Sequence, residues 1–394
     1  VWPEEVGAVT QALVRKSGEY QETRVGGELV RAFVPHPLPP SPAVEMSGGR
    51  QRLLERATLA VGRLDSVATL LPDPHLFLYT YVRREAVLSS QIEGTQSSLS
   101  DLLLFEMEGL AGVPIDDVTE VSNYVRALDH GMARLGAGFP LCGRLLREMH
   151  QELMAGTRGQ DKRPGEFRTT QNWIGGTRPG TAHFVPPPAH EVPGAMAALE
   201  RFINDNEDGM PTLVKAALAH VQFETIHPFL DGNGRLGRLL IALLLHDKRV
   251  LEQPLLYLSL YLKAHRATYY DLLDRVRTHG DWEAWLDFFL EGVAETADRA
   301  VATVRRLDAL FASDAERLQA MGRTAANALR VHRAFCVRPV LNLSALADKT
   351  HLTFPTATAA VKRLVSAGIL RELTGKRRNR LFAYDAYLAL LGKD

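Results

Sequence analysis

His227-Pro228-Phe229-Leu230-Asp231-Gly232-Asn233-Gly234-Arg235-Leu236-Gly237-Arg238 is the stretch on which the reading of this chain turns. Before it, Val214–Ile226 is Ala-rich and reads as a helix. After it, Leu239–Leu245 is apolar on every side, which predicts a helix buried in the core. One helix therefore ends near Ile226 and another starts near Asn233, with Gly232 and Gly234 permitting a tight turn between them. Such a turn aims the free N–H groups of the new helix's first turn at one point, an anion site. Arg235 and Arg238, three apart on one face, can fork onto phosphate oxygens. Asp231 is a hard oxygen ligand of the kind Mg2+ takes beside phosphates, and His227 is a titratable base at the rim. A lone His at a helix end is more often structural, and arginines on a helix are more often solvated. Together around a Gly-x-Gly turn they make a phosphate-transfer constellation. Gly232-x-Gly234-x-x-Gly237 also matches a dinucleotide fingerprint, but that motif needs a preceding strand. The Ala-rich helix in front excludes it.

Working outward, apolar residues recur at helical spacing from Gln51 to about Leu110, with Pro72 and Pro74 at a helix boundary, and again from about Ile115 to Met154. Gly165–Pro188 breaks the pattern. Dense in Gly, Pro, Thr and aromatics, it reads as a β-hairpin of two short extended pieces around a Gly-rich turn. Helical spacing resumes at Val192 and runs to about Met321. The stretch before Gly49 holds Pro35, Pro37, Pro39, Pro40 and Pro42 and reads as an extended arm lying on the rest. Without alternating strand–helix units or internal repeats, the body is mainly α.

The length of 394 residues predicts two or three domains. With 46% apolar and 23% charged residues, wholesale disorder is excluded. Cys142 and Cys336 are far apart and have no His or Cys at ligand spacing, so neither a disulfide framework nor a Cys-based zinc site is expected. Leu239–Leu245, the longest apolar run, is far short of the ~18 residues of a membrane span. The opening Val-Trp-Pro-Glu-Glu lacks the features of a signal peptide, and the cytoplasm is the expected location. Net charge is zero but uneven: from Arg330 to Asp394 twelve Lys/Arg face four Asp/Glu, a net of +8. That marks a separate module with its own partner. Leu343–Asp348, Thr353–Ala367 and the basic Leu373–Tyr384 read as helix, turn, helix and a two-stranded wing, with Thr356, Thr358, Lys362 and Arg363 on the second helix. Lys362, Arg363, Lys376, Arg377, Arg378 and Arg380 could contact DNA phosphates. A protein surface is the other candidate, since the fold does not choose between them.

His-Pro-Phe-x-Asp/Glu-Gly-Asn-Gly-Arg-x-x-Arg is the signature of Fic proteins, which residues 227–238 resemble at every fixed position. The flanks resemble Fic proteins too: PGEFRTTQNWIGG and FVPPP before the motif, then Tyr269-Tyr270-Asp271-Leu272-Leu273 and GDWEAWLDFFLEGV after it. The resemblance covers about Gln51 to Val293. It implies an all-α core with a β-hairpin flap that transfers AMP from ATP to Ser, Thr or Tyr hydroxyls of target proteins and of itself, releasing pyrophosphate. It implies His227 as the base, Asp231 as the Mg2+ ligand, and Asn233 with the Gly232–Gly234 backbone as the α/β-phosphate site. Arg235 would lie alongside, Arg238 on the γ-phosphate, and Leu236 and Gly237 within the same ATP-binding run. Tyr269, Tyr270 and Leu273 would pack adenine, and Asn172, Trp173, Ile174 and Gly175 would cover the nucleotide. Where some members have an Asn on the adenine edge this chain has Arg277, which loosens the preference for adenine. The intact Gly-Asn-Gly-Arg argues against the phosphate-transferring Doc branch.

Ser89-Ser90-Gln91-Ile92-Glu93-Gly94 closes a helical stretch, with Gly94 suited to a C-cap and Ser89 and Glu93 on one face. As Ser/Thr-x-x-x-Glu-Gly/Asn it resembles the inhibitory-helix motif of Fic proteins, here ahead of the core. The resemblance implies that Glu93 pairs with Arg238 and keeps the γ-phosphate out. The same carboxylate could orient water for AMP removal, so the direction of reaction stays open. An exposed edge in Gly165–Pro188 could pair with an extended target segment and set its hydroxyl by main-chain register. The expected division is 1–110, arm and helical region with the inhibitory helix; 111–295, Fic catalytic core; 296–325, helical linker; and 326–394, winged helix-turn-helix. The expected function is a protein adenylyltransferase autoinhibited by Glu93. Its alternatives are a DNA-binding regulator whose Fic core senses nucleotide, and a de-AMPylating enzyme. Target, homodimer formation and use of other nucleotides stay open.

Overall fold

The structure, a computed structural model, describes residues 15–70, 75–108, 115–322, 325–376 and 380–392. It opens with an antiparallel hairpin, β1 (Gly18–Val25) and β2 (Glu28–Pro35), in register from Gly18 opposite Pro35 to Val25 opposite Glu28. The extended arm expected there is thus half hairpin. Gly26 and Gly27, at φ 58° and 87°, supply the left-handed pair that a two-residue turn demands. The arm does lie on the rest: Phe33 N donates to Val185 O (2.9 Å), and Gln222 Nε2 donates to His36 O (2.9 Å).

The helices follow as α1 (Gly49–Leu70), α2 (His75–Ile92), α3 (Leu99–Glu108), α4 (Ile115–Gly136) and α5 (Gly143–Met154). After the flap come α6 (Val192–Asn204), α7 (Thr212–Ile226), α8 (Asn233–Asp247), α9 (Leu258–Ala264), α10 (Arg266–His279) and α11 (Trp282–Gln319). The helix boundary anticipated at Pro72 and Pro74 lies outside the described residues. Every residue of α7 from Leu213 to Ile226 is buried, so this Ala-rich helix is the central post against which its neighbours pack. In α8, Leu239, Leu240, Ile241, Leu243, Leu244 and Leu245 are buried, as an all-round apolar run requires. Trp285 Nε1 donates to Ala217 O (2.9 Å), fastening α11 to α7. At 38 residues α11 is one continuous rod of roughly 57 Å that passes from the core toward the tail.

The hairpin expected in Gly165–Pro188 is reduced to one antiparallel bridge, Ile174 opposite Phe184, with a short 3-10 turn at Pro179–Thr181. Proline at 186, 187 and 188 leaves no N–H donors to extend a ladder.

The tail comprises α12 (Ala325–Val337), β3 (Val340–Asn342), α13 (Leu343–Thr350), α14 (Phe354–Ser366), β4 (Arg371–Glu372), β5 (Leu381–Ala383) and α15 (Asp385–Gly392), its strands ordered β3-β5-β4. Arg377 and Arg378 lie outside the described residues. This tail docks on α2 and α3. Val340, Leu381 and Ala383 pack with Leu103, the Tyr387 hydroxyl bonds Thr80 Oγ1, and the Arg338 guanidinium sits 4.7 Å over the Tyr79 ring. Tyr384 OH donates to Asp314 Oδ2 (2.6 Å), tying the tail to α11 as well. Among the described residues no helix is long and apolar enough to cross a membrane.

Candidate active site

α7 ends because His227 steps into the left-handed region (φ 49°, ψ 61°), its N–H still closing on Phe223 O (2.9 Å). The loop that follows is pinned by side chains. Asn233 Oδ1 accepts from Phe229 N (2.9 Å), and its Nδ2 donates to Phe229 O (2.8 Å). His150 of α5 stacks on Phe229 at 3.8 Å, donates from Nε2 to Asp231 O (3.0 Å), and accepts at Nδ1 from Gly165 N (2.9 Å). Both bonds require one neutral tautomer, and burial, pushing its pKa down to about 4, keeps it so. Gly232 takes φ 75°, where a side chain is strained, and a Cβ there would lie 2.7 Å from Met154 Sδ.

Leu236 N to Gly232 O (3.1 Å) is the bond that starts α8, so the N–H groups of Asn233, Gly234 and Arg235 precede it. They form the orphan first turn that suits an anion. The side chains depart from what the motif alone suggested. Asn233 spends both ends of its amide on Phe229 and does not reach into the cleft. Arg235 is 4% exposed and turns to Glu120, Nη1 to Oε2 3.1 Å. Leu236 is wholly buried, and Gly237 gives its carbonyl to His220 Nδ1 (3.0 Å). Tyr269, 1% exposed, donates its hydroxyl to His220 Nε2 (2.9 Å), and Leu273 is 2% exposed. These four support the floor instead of lining it, because α8 and α10 turn them toward the core. Tyr270 (40% exposed) and Trp173 of the flap (39%) keep exposed aromatic surface. Asn172 Nδ2 donates to Phe229 O (3.1 Å), joining flap to loop, and Ile174 makes the flap's bridge. At Gly175 (φ 69°) an added Cβ would sit 3.0 Å from His183.

Arg238 is where the structure brings the two motifs together. Its Nε donates to Ser89 Oγ (2.8 Å), and its Nη2 to Ser89 O (3.0 Å) and Glu93 Oε1 (2.6 Å). Gly94, at φ 103°, turns the chain away just after. Burial pulls the Glu93 carboxyl upward, but the charge of Arg238 outweighs it and holds the group below its usual range. Gly234 is an ordinary helical residue, not a turn former. Its missing side chain matters because a Cβ there would lie 2.3 Å from Glu93 Oε1.

His227 stands half-buried between two cations. Burial, then Arg277 and Arg168, push its imidazole down to about 3, so it is neutral and can accept a proton. Arg277, far from reading a base edge, lies 3.9 Å over the Phe184 ring and donates from Nε to Thr225 Oγ1 (3.2 Å). Asp231 keeps a carboxylate that is 51% exposed at the nest, with Oδ1 accepting from Gly232 N (2.6 Å). His150, Arg168, Glu120 and the buried Glu224 escaped the sequence reading, since each comes from a distant element and no local pattern announces it.

Family comparison agrees with this geometry. Residues 51–133 match the Fic/DOC family N-terminal domain and residues 140–245 the Fic/DOC family domain. The protein adenylyltransferase Fic of Drosophila ananassae is 29% identical over 210 residues, covering 52% of this chain and 39% of that one. The protein of the same name from Culex quinquefasciatus is 35% identical over 135 residues, 34% of this chain and 24% of that one. The match thus spans well under half the length of these relatives. A Fic family protein from Desulfovibrio desulfuricans G20 shares the fold at TM-score 0.55 and 21% identity, covering 85% of this chain and 95% of that one. The two family matches stand in tandem over the residues that build the loop and its clamp, so residues 51–133 and 140–245 are what the chain shares with the Fic/DOC family.

Proposed function

We propose that this protein is an adenylyltransferase that moves AMP from ATP to a protein hydroxyl and is held inactive by Glu93. The observation that carries this is the clamp: a carboxylate sits on Arg238 beside the first-turn amides of α8, where an anionic phosphate would be received. In the open state Arg238 takes the γ-phosphate, the first-turn amides take the α- and β-phosphates, and Tyr270 and Trp173 flank the base. The target oxygen then forms a bond to the α-phosphorus as the bond to pyrophosphate breaks, and His227 takes the hydroxyl proton. Asp231 fits a Mg2+ that arrives with the nucleotide, being an open carboxylate at the nest. No cluster of three His, Cys, Asp or Glu among the described residues would hold a metal unaided. When bound, the ion would neutralise phosphate charge.

The target docks on the free arm of the flap, residues 172–176. The other arm gives Val185 O to Phe33 of β2 and is already covered. We retain the division at residues 110, 295 and 325, with α11 running unbroken through the second boundary. Residues 326–394 read as a winged helix that binds a protein surface. Phe354–Ala360, the turns that would enter a DNA groove, hold no Lys or Arg, and Phe354 is 55% exposed. Salt-dependent binding of duplex DNA by the full chain would reverse that choice. Free Cys142 and Cys336 fit a reducing cytoplasm.

Labelled ATP with Mg2+ tests the main reading. Label should enter protein, strongly in Glu93→Gly. A Glu93→Gly chain that binds ATP but transfers none would favour the nucleotide sensor, and release of AMP from labelled protein by the wild type would favour the reverse reaction.

A further inference from the structure

We infer that Arg168 is a positioning residue for His227: its guanidinium fixes the left-handed pose of the base and ties it to both legs of the flap. This rests on the transfer reading above. Arg168 is 2% exposed. Its Nε donates to His227 O (2.9 Å), its Nη2 to Pro187 O (2.6 Å) and Ile226 O (3.3 Å), and its Nη1 to Thr170 O (3.4 Å). Its backbone N–H donates to Pro228 O (2.9 Å). One side chain therefore reaches the end of α7, the motif loop, and the flap on either side of the Ile174–Phe184 bridge.

All of these acceptors are main-chain carbonyls. No carboxylate pairs with Arg168 among the described residues, which is a costly way to bury a charge. The compensation is local. Ile226 and His227 carry the orphan carbonyls at the negative end of the α7 dipole, where a cation is favoured. A non-glycine residue in the left-handed region is strained and persists only where its surroundings over-determine it. The forked guanidinium supplies that constraint, and a lysine, a single point of charge, cannot span these acceptors. The charge has a second effect. After burial and Arg277, Arg168 pushes the imidazole of His227 down, to about 3, which keeps the ring neutral at some cost in its strength as a base. Burial lowers Arg168 itself only to about 10, so it remains a cation.

The test introduces Arg168→Gln and Arg168→Lys into the Glu93→Gly chain. Two readouts need no substrate: NMR titration of the His227 ring, and hydrogen exchange of residues 170–187. With Arg168→Gln the ring pKa should rise by about one unit as a nearby cation is lost, and flap exchange should quicken. Its kcat should fall at least about tenfold while KM for ATP stays within about threefold, the signature of an interaction realised in the transition state. Arg168→Lys should keep the low ring pKa yet lose flap protection and kcat, and it decides the matter if the glutamine variant does not fold. Ring titration, exchange and kcat unmoved in a folded variant would overturn the inference. So would full activity in Arg168→Lys, or a loss of ATP affinity that accounts for the loss of kcat. If Glu93→Gly itself transfers nothing, the transfer reading falls alone, and the two substrate-free readouts still decide the part played by Arg168.

Discussion

Nη2 of Arg238 lies 2.6 Å from Oε1 of Glu93, in an ion pair whose cation is 2% exposed and whose anion is 35% exposed. The asymmetry matters. Arg238 is anchored from behind by Ser89, whereas Glu93 sits on the solvent side over Gly234.

Replacing Glu93 with Gly should therefore raise modification of the protein itself and of its targets well above wild type, with each tenfold equivalent to about 1.4 kcal/mol of closed-state preference. Adding Arg238→Ala should abolish the gain. Incorporation of label from ATP checks both. A folded, ATP-binding Glu93→Gly chain no more active than wild type would make Ser89–Gly94 a mere helix end.

His227→Ala should eliminate transfer and leave ATP affinity nearly intact, because in the proposed reaction the ring acts on the incoming hydroxyl and not on the nucleotide. Calorimetric titration with ATP is the check. Lost binding in a folded variant would mean that the left-handed corner is structural.

Asp231→Ala should abolish metal-dependent transfer, since this is the open carboxylate at the nest. Rates measured across a Mg2+ series decide the point, and an unchanged metal dependence would require a ligand from elsewhere.

Stability should rise from acid pH to about pH 6.5 and change little above it. Burial raises Glu85 and Glu224 to about 7 from 4.5, so they bind protons more tightly folded than unfolded. Their contribution is complete below 4.5 and is lost as pH rises through about 7. Burial lowers His150 and His220 to about 4 and His227 to about 3, from 6.5, so stability is lost as pH falls from 6.5 toward those values. Each group can contribute a slope of at most about 1.4 kcal/mol per pH unit. Thermal midpoints across pH 4 to 9 test this: Glu224→Gln should make the midpoint climb more steeply with pH than wild type between pH 4.5 and 7 and run parallel to it at higher pH. A Glu224→Gln midpoint that runs parallel to wild type between pH 4.5 and 7 would show that Glu224 is not held protonated.

The helical body was legible because α7 and α8 carry their burial in plain composition: an Ala-rich run, a Gly-x-Gly turn and an unbroken apolar stretch. The clamp was legible through resemblance, since nothing in the spacing of residues 89–94 alone says which cation Glu93 meets. The β1–β2 hairpin has its signal in Gly26-Gly27, and the prolines that follow, which favour extended backbone, obscure it. The side-chain roles of Asn233, Arg235 and Tyr269 were not readable. A motif fixes where the backbone goes, and it takes His220, Glu120 and the Phe229 carbonyl, all from the fold, to decide what each side chain then bonds.

Helix α2 touches Tyr387 and Arg338 of the tail at Thr80 and Tyr79, and it touches Arg238 at Ser89. Nine residues of helix, roughly 13 Å, separate the two grips. A rod so short does not absorb a displacement; it acts as a lever. In the proposed function, where ATP is received at Arg238, any coupling carried by this helix is reciprocal: whatever a partner on the tail does to ATP affinity, ATP does to the partner's affinity.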